Sequence, residues 1–202
     1  MRALVAGTAT DLPEVVMVPG LGAPGYLLPW ARQLASWTRV TVLDLPGWRW
    51  GRAAACSPTV AGIGAATARW LAEHDRRDVV LLGHSTGAQA VIRSALLEPG
   101  RLAGVVLAGP TFDPAARSIA TLLRRAVSTL AHERPGEVPA VLPSYLASGG
   151  YGVLRMLVDA LRDRPEDRIG MLRVPVLTVT GERDGFAPPA WARRLAGLAA
   201  GQ

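Results

Sequence analysis

Short runs of β-branched residues and leucine recur along this chain, each followed by a turn rich in glycine or proline and then a helical pattern. The runs are Val15-Val-Met-Val18, Val40-Thr-Val-Leu43, Asp78-Val-Val-Leu-Leu82, Gly104-Val-Val-Leu-Ala108 and Val174-Pro-Val-Leu-Thr-Val-Thr180. Strands alternating with helices predict a mostly parallel sheet with flanking helices, an α/β fold. The helices are expected over residues 26–37, 59–73, 86–97 and from 188 or 189 to 199. Ser57 is the expected N-cap of the second, with Pro58 at its first position. Pro175 sits near the start of the last strand, where a missing ladder donor is tolerated.

Residues 110–170 separate the last two strands, far too long a stretch for an ordinary connection. Helical patterns at 115–131 and 150–163, with prolines at 135, 139 and 143 between them, predict a helical cap inserted into one domain spanning 1–202. Leu122, Leu123, Val127, Leu130, Val153, Leu154, Leu157 and Leu161 are its expected packing positions.

Composition narrows the classes. Half of the 202 residues are apolar and 19% are charged, which excludes a disordered chain. The single cysteine, Cys56, excludes an internal disulfide framework and fits a reducing, cytoplasmic setting. No apolar run reaches the ~18 residues a membrane span needs. All 22 basic residues are arginine, and lysine and asparagine are absent, a bias that points to a GC-rich bacterial genome. The arginines are scattered and form no stripe interleaved with aromatics, so the charge of +6 predicts a solvated surface and no nucleic-acid partner. The sequence calls for no cofactor and no metal.

Chemistry concentrates at Gly83-His84-Ser85-Thr86-Gly87, between a strand and a helix. Small residues flanking a serine allow a turn sharp enough to leave its hydroxyl standing above the sheet. The helix that follows places its positive end beside Ser85. With Pro19-Gly-Leu-Gly22, Asp44-Leu-Pro-Gly47 and Gly181-Glu-Arg-Asp184, each after a strand, this arrangement resembles the capped serine enzymes of the α/β-hydrolase superfamily over residues 15–199.

The resemblance implies Ser85 as nucleophile and Asp184 as the acid that orients a histidine. It also implies the backbone N–H groups of Leu21 and Thr86 as an oxyanion hole. Pro19-Gly20 stands where many relatives have His-Gly. The expected activity is hydrolysis of an ester or related acyl bond in a hydrophobic small molecule.

One member of the triad is missing. The order in this superfamily is serine, acid, histidine, and no histidine follows Asp184. The 18 residues after it hold one helix, too few for a further strand and a histidine loop as well. His84 is expected to point away from its neighbour's hydroxyl, and His74 to cap a solvated helix end. His132 in the cap is the remaining candidate base. Asp113 is an alternative acid, and Cys56 a bystander. Three accounts stay open: a hydrolase shortened at its C-terminus and reduced in activity, a non-catalytic small-molecule binder, and a rearranged site using His132 or water. A sheet without its final strand leaves an open edge through which a homo-oligomer could form.

Overall fold

The computed structural model describes residues 1–46, 54–118, 121, 146 and 150–199. Six strands form one sheet: β1 (Arg2–Ala6), β2 (Glu14–Val18), β3 (Val40–Asp44), β4 (Val79–His84), β5 (Leu102–Ala108) and β6 (Val176–Val179). Their order is β1-β3-β2-β4-β5-β6. All pairings are parallel except β1 with β3, where Arg2 faces Asp44 and Ala6 faces Val40. The mostly parallel sheet expected from the sequence is what forms.

Among the described residues, five α-helices accompany it: α1 (Leu28–Leu34), α2 (Val60–Glu73), α3 (Thr86–Leu97), α4 (Tyr151–Arg162) and α5 (Pro189–Leu198). The first is shorter than its pattern, because Pro24–Leu27 forms a separate 3-10 turn. The expected N-cap of α2 moves by two residues. Thr59, not Ser57, caps the helix, its Oγ1 accepting from Gly62 N at 2.9 Å.

Alternation along the strands divides the interior in two, since successive side chains point to opposite faces. Val16, Val18, Leu43, Val79, Leu81, Val105 and Leu107 pack with α2, α3, α4 and α5. Met17, Val40, Val42, Leu82 and Ala108 turn the other way, toward Leu27 and Ala31 beside and within α1. Among the described residues, one face thus carries four helices and the other carries one. β6 marks the limit of the sheet, bonded only to β5 among the described residues. Thr178 on β6 bonds under α5, Oγ1 to Ala192 O at 3.2 Å, while Leu177 and Val179 stay 58% and 42% exposed.

Most of 119–149, including Leu122, Leu123, Val127, Leu130 and the first expected cap helix beyond residue 118, lies outside the described residues. The second helix forms as α4, but its buried seam is Gly152, Met156 and Ala160 at i, i+4 and i+8. Of the positions expected to pack, Leu161 is buried, Val153 and Leu157 are half-buried, and Leu154 is 58% exposed. Met156, Ala160, Leu161, Ile169 and Leu172 join the main core, so the second half of the 110–170 stretch packs against the sheet domain.

Candidate active site

β4 runs up the middle of the sheet and stops at His84, and α3 begins at Thr86, leaving one residue to turn the chain. That residue is Ser85, held at φ 56° and ψ −124°, a backbone conformation costly for any side chain. Its N–H still donates to Ala108 O at 2.9 Å, anchoring the turn to β5. The flanking glycines are required by close approach. A Cβ on Gly83 would lie 2.7 Å from Ala88 Cα, and one on Gly87 would collide with the carbonyl groups of Val18 and Pro19.

The loop after β2 comes in beside this serine. Gly20 lies so near that a Cβ there would sit 2.9 Å from Ser85 Cβ and 3.2 Å from its Oγ. Leu21 is left-handed at φ 46°, and its N–H donates to Thr86 Oγ1 at 2.9 Å. Of the two expected oxyanion donors, Leu21 N–H is therefore engaged by the Thr86 hydroxyl. Thr86 N–H belongs to the first residue of α3, where N–H groups have no partner within the helix. α4 packs against the same Gly20–Gly22 turn.

Asp184 stands in the turn after β6. Its Oδ1 accepts from Phe186 N at 2.8 Å and Ala187 N at 2.9 Å. Oδ2 lies 3.3 Å from where a Cβ on Gly109 would be, and His84 Nε2 is 3.8 Å from the same point. Gly109 follows β5, and its N–H reaches Val179 O at 2.7 Å. Ser85 and Asp184 thus follow the ends of β4 and β6, parallel strands separated only by β5.

The histidines divide as follows. His74 Nδ1 lies 3.0 Å from Trp70 O, and its ring stacks on Trp70 at 4.7 Å, at the far end of α2. His84 points away from the serine face into the α1 side, its Nδ1 3.0 Å from Tyr26 Oη and its ring edge-on to Tyr26 and Trp30. Burial pushes its imidazole below the ordinary value, against the opposing pull of the Asp184 charge. His132 lies outside the described residues. Among the described residues, no imidazole is bonded to Ser85 Oγ. Asp113 caps its own short turn, its Oδ1 accepting from Ala115 N at 3.2 Å. Burial raises the Cys56 thiol to about 11 despite Arg69 nearby, which leaves it inert at neutral pH. Among the described residues, no group of three or more His, Cys, Asp or Glu is placed to hold a metal ion.

Two participants escaped the sequence reading. Tyr26, within an ordinary helical pattern, places its hydroxyl 2.6 Å from Gly20 N and next to His84. The hydroxyl of Thr86 was expected to matter only through its backbone. Nothing in local sequence marks either contact, because both cross from one loop to another.

The sequence profile of the alpha/beta hydrolase family matches residues 15–201. No curated protein matches the chain. Among solved structures, an esterase from Thermogutta terrifontis is similar at TM-score 0.73 and 19% identity, covering 99% of this chain and 81% of its own. An esterase from Exiguobacterium antarcticum gives 0.76 and 16%, covering 98% and 83%. The enol-lactonase from Burkholderia xenovorans LB400 gives 0.73 and 17%, covering 99% and 85%. The matched profile, the sheet order and the strained serine turn agree, and the chain belongs to the alpha/beta hydrolase family.

Proposed function

We propose that this chain is a serine hydrolase acting on an ester or related acyl bond, with Ser85 as nucleophile and Asp184 as acid. The observation that carries the reading is the Ser85 backbone at φ 56°, a strain the fold bears with the hydroxyl beside Gly20 and the start of α3. Similarity to esterases and a lactonase supports the acyl chemistry. Ser85 Oγ bonds to the acyl carbon and releases its proton, and the carbonyl oxygen takes up negative charge. The N–H groups of Thr86 and Leu21 face that charge once Thr86 Oγ1 shares or yields the Leu21 donor. The alcohol departs with a proton, and water then cleaves the acyl-enzyme.

Leu21, Val153, Leu157 and Phe186 are partly exposed apolar side chains on the loop, α4 and the acid turn, which favours a hydrophobic acyl or alkyl group. The 110–170 stretch, read as the cap, brings α4 beside the Gly20–Gly22 turn. Cys56 as a free thiol fits a cytoplasmic enzyme, and no helix among the described residues is long and apolar enough to cross a membrane.

A serine hydroxyl needs a neighbour to accept its proton. With His74 and His84 bonded elsewhere, His132 and water are the acceptors that these 202 residues offer, and turnover by them alone is expected to be reduced. In serine proteases, losing the histidine costs about 10⁶ in turnover, with a residual ~10³–10⁴ over water. The test is an organophosphonate ester probe with mass spectrometry of the Ser85 peptide, run beside hydrolysis of an activated aryl ester. Labelling of the native chain but not of Ser85→Ala is expected. Equal labelling of both overturns the assignment. Turnover at an ordinary 1–10³ per second overturns reduced activity, and its loss in His132→Ala would make His132 the base. An unlabelled chain that still binds the ester is a non-catalytic binder, the second reading.

A further inference from the structure

We propose that Tyr26 and His84 are positioning residues, a proton-ordered relay that fixes the oxyanion loop and ties its position to the charge on Asp184. The inference rests on the reading of Ser85, Leu21 and Asp184 as a hydrolytic site, and it adds two residues to it.

Gly20, Tyr26 and His84 are joined by hydrogen bonds, and Asp184 acts on His84 through its charge without a bond between them. Gly20 N–H donates to Tyr26 Oη at 2.6 Å, and Tyr26 Oη lies 3.0 Å from His84 Nδ1. His84 Nε2 and Asp184 Oδ2 flank the same point above Gly109, 3.8 and 3.3 Å from it. Tyr26 and His84 share one proton between Oη and Nδ1, and the direction in which it is given decides the rest.

If His84 Nδ1 donated, its Nε2 would present a lone pair toward the Asp184 carboxylate, which repels it. If Tyr26 donates, Nε2 carries the hydrogen and faces that carboxylate favourably. The Asp184 charge therefore selects the second order: Gly20 N–H to Tyr26 Oη, Tyr26 O–H to His84 Nδ1, and Nε2–H toward Asp184. Burial keeps the imidazole neutral, so the order persists at neutral pH. T-shaped contacts with Tyr26 and Trp30 hold the ring in place. Gly20 is the residue packed on Ser85, and Leu21 follows it, so a displaced Gly20 moves an oxyanion donor directly.

The consequence is that His84 is not a base. It carries the effect of the Asp184 charge to the loop that faces the oxyanion, a role for Asp184 that needs no imidazole beside Ser85. Errors near 1 Å in such a site cost up to roughly 100-fold, which sets the scale for breaking the relay.

Two measurements on the full chain test this. In ¹⁵N NMR of the histidine rings, assigned with the His84→Asn variant, His84 should be neutral with the hydrogen on Nε2. Asp184→Asn should shift it toward the other tautomer, and Tyr26→Phe should remove the bond to Nδ1. In phosphonate labelling, Tyr26→Phe should lower the saturating rate constant at Ser85 by roughly 10–100-fold, with half-saturating probe concentration unchanged. His84→Phe should do the same. His84→Asn, whose Oδ1 replaces the Nδ1 acceptor, should recover most of the rate. A hydrogen on Nδ1, a charged His84 at neutral pH, or native labelling rates in Tyr26→Phe each overturn the relay. A native chain that does not label overturns the hydrolase reading instead, and the tautomer still decides the relay.

Discussion

Ser85 carries a cost that the rest of the elbow is built to bear. At φ 56° with a Cβ, the residue forgoes on the order of 1–3 kcal/mol of backbone stability. Ser85→Gly should therefore unfold at higher urea concentration than Ser85→Ala, by about 1 kcal/mol, since both lack the hydroxyl and only glycine relieves the strain. Equal midpoints would mean that the turn is unstrained. Gly20 gives the complementary case. A methyl there meets Ser85 Cβ at 2.9 Å, so the loop must retreat. Gly20→Ala should cost about 1–3 kcal/mol and slow phosphonate labelling at Ser85 by roughly tenfold or more.

The elements that follow β5 are tied down by charge as much as by apolar contact. Asp163, at the end of α4, is buried and accepts from Arg93 on α3 and from Arg168 Nη1 at 3.1 Å. Asp159 on the same helix accepts from Val60 N at 2.7 Å at the start of α2. Asp163→Ala should cost about 1–3 kcal/mol in urea unfolding, below the 3–5 of a fully dry pair because both arginines retain some water. Glu166 joins this strapping through two 2.7 Å bonds from Arg117, whose guanidinium also lies 5.8 Å over the Trp191 ring. Burial raises the Glu166 carboxyl, but the Arg117 hydrogen bonds and charge outweigh it, and the net value falls below the ordinary 4.5. A carboxyl depressed in the folded state contributes stability that is present above its unfolded value and lost as pH falls through the folded one. The melting temperature should accordingly drop below about pH 4.5, and Glu166→Gln should flatten that drop. An unchanged pH profile in the variant would remove Glu166 from the account.

Across the whole molecule, the two faces of the sheet are unequally covered. Beside α1, a groove of about 500 Å³ is lined by Trp30, Leu34, Trp37, Leu82, Val106, Ala108 and Val179. Trp37 is 67% exposed at its rim. A groove this apolar should bind a fluorescent apolar dye in the native state, quenching tryptophan emission. Val179→Arg, which sets a charge on its wall, should weaken that binding severalfold or more. Among the described residues β6 is bonded on one side only, with Leu177 exposed on it. Self-association through that edge should be visible as a rising mass by light scattering at increasing concentration and should be suppressed in Leu177→Lys. A strictly monomeric chain overturns it.

The order of strands and helices was legible because buried strands and amphipathic helices write their periods into the sequence, as at Val79–His84 and Val60–Glu73. The elbow was legible for a related reason. A sharp turn needs small neighbours, and Gly83 and Gly87 supply them next to Ser85. The cap of α2 was misplaced by two residues, because Ser57 and Thr59 are both good caps and only backbone geometry selects between them. The seam of α4 was misread because Gly152 and Ala160 are small, and small residues bury where another helix approaches closely, whatever their hydrophobicity. The bonds from Gly20 to Tyr26, from Tyr26 to His84 and from Leu21 to Thr86 join residues 6, 58 and 65 positions apart. Periodicity and turn chemistry are local signals, whereas these contacts exist only once β2, β4 and α1 have packed, and so the tertiary structure alone decided them.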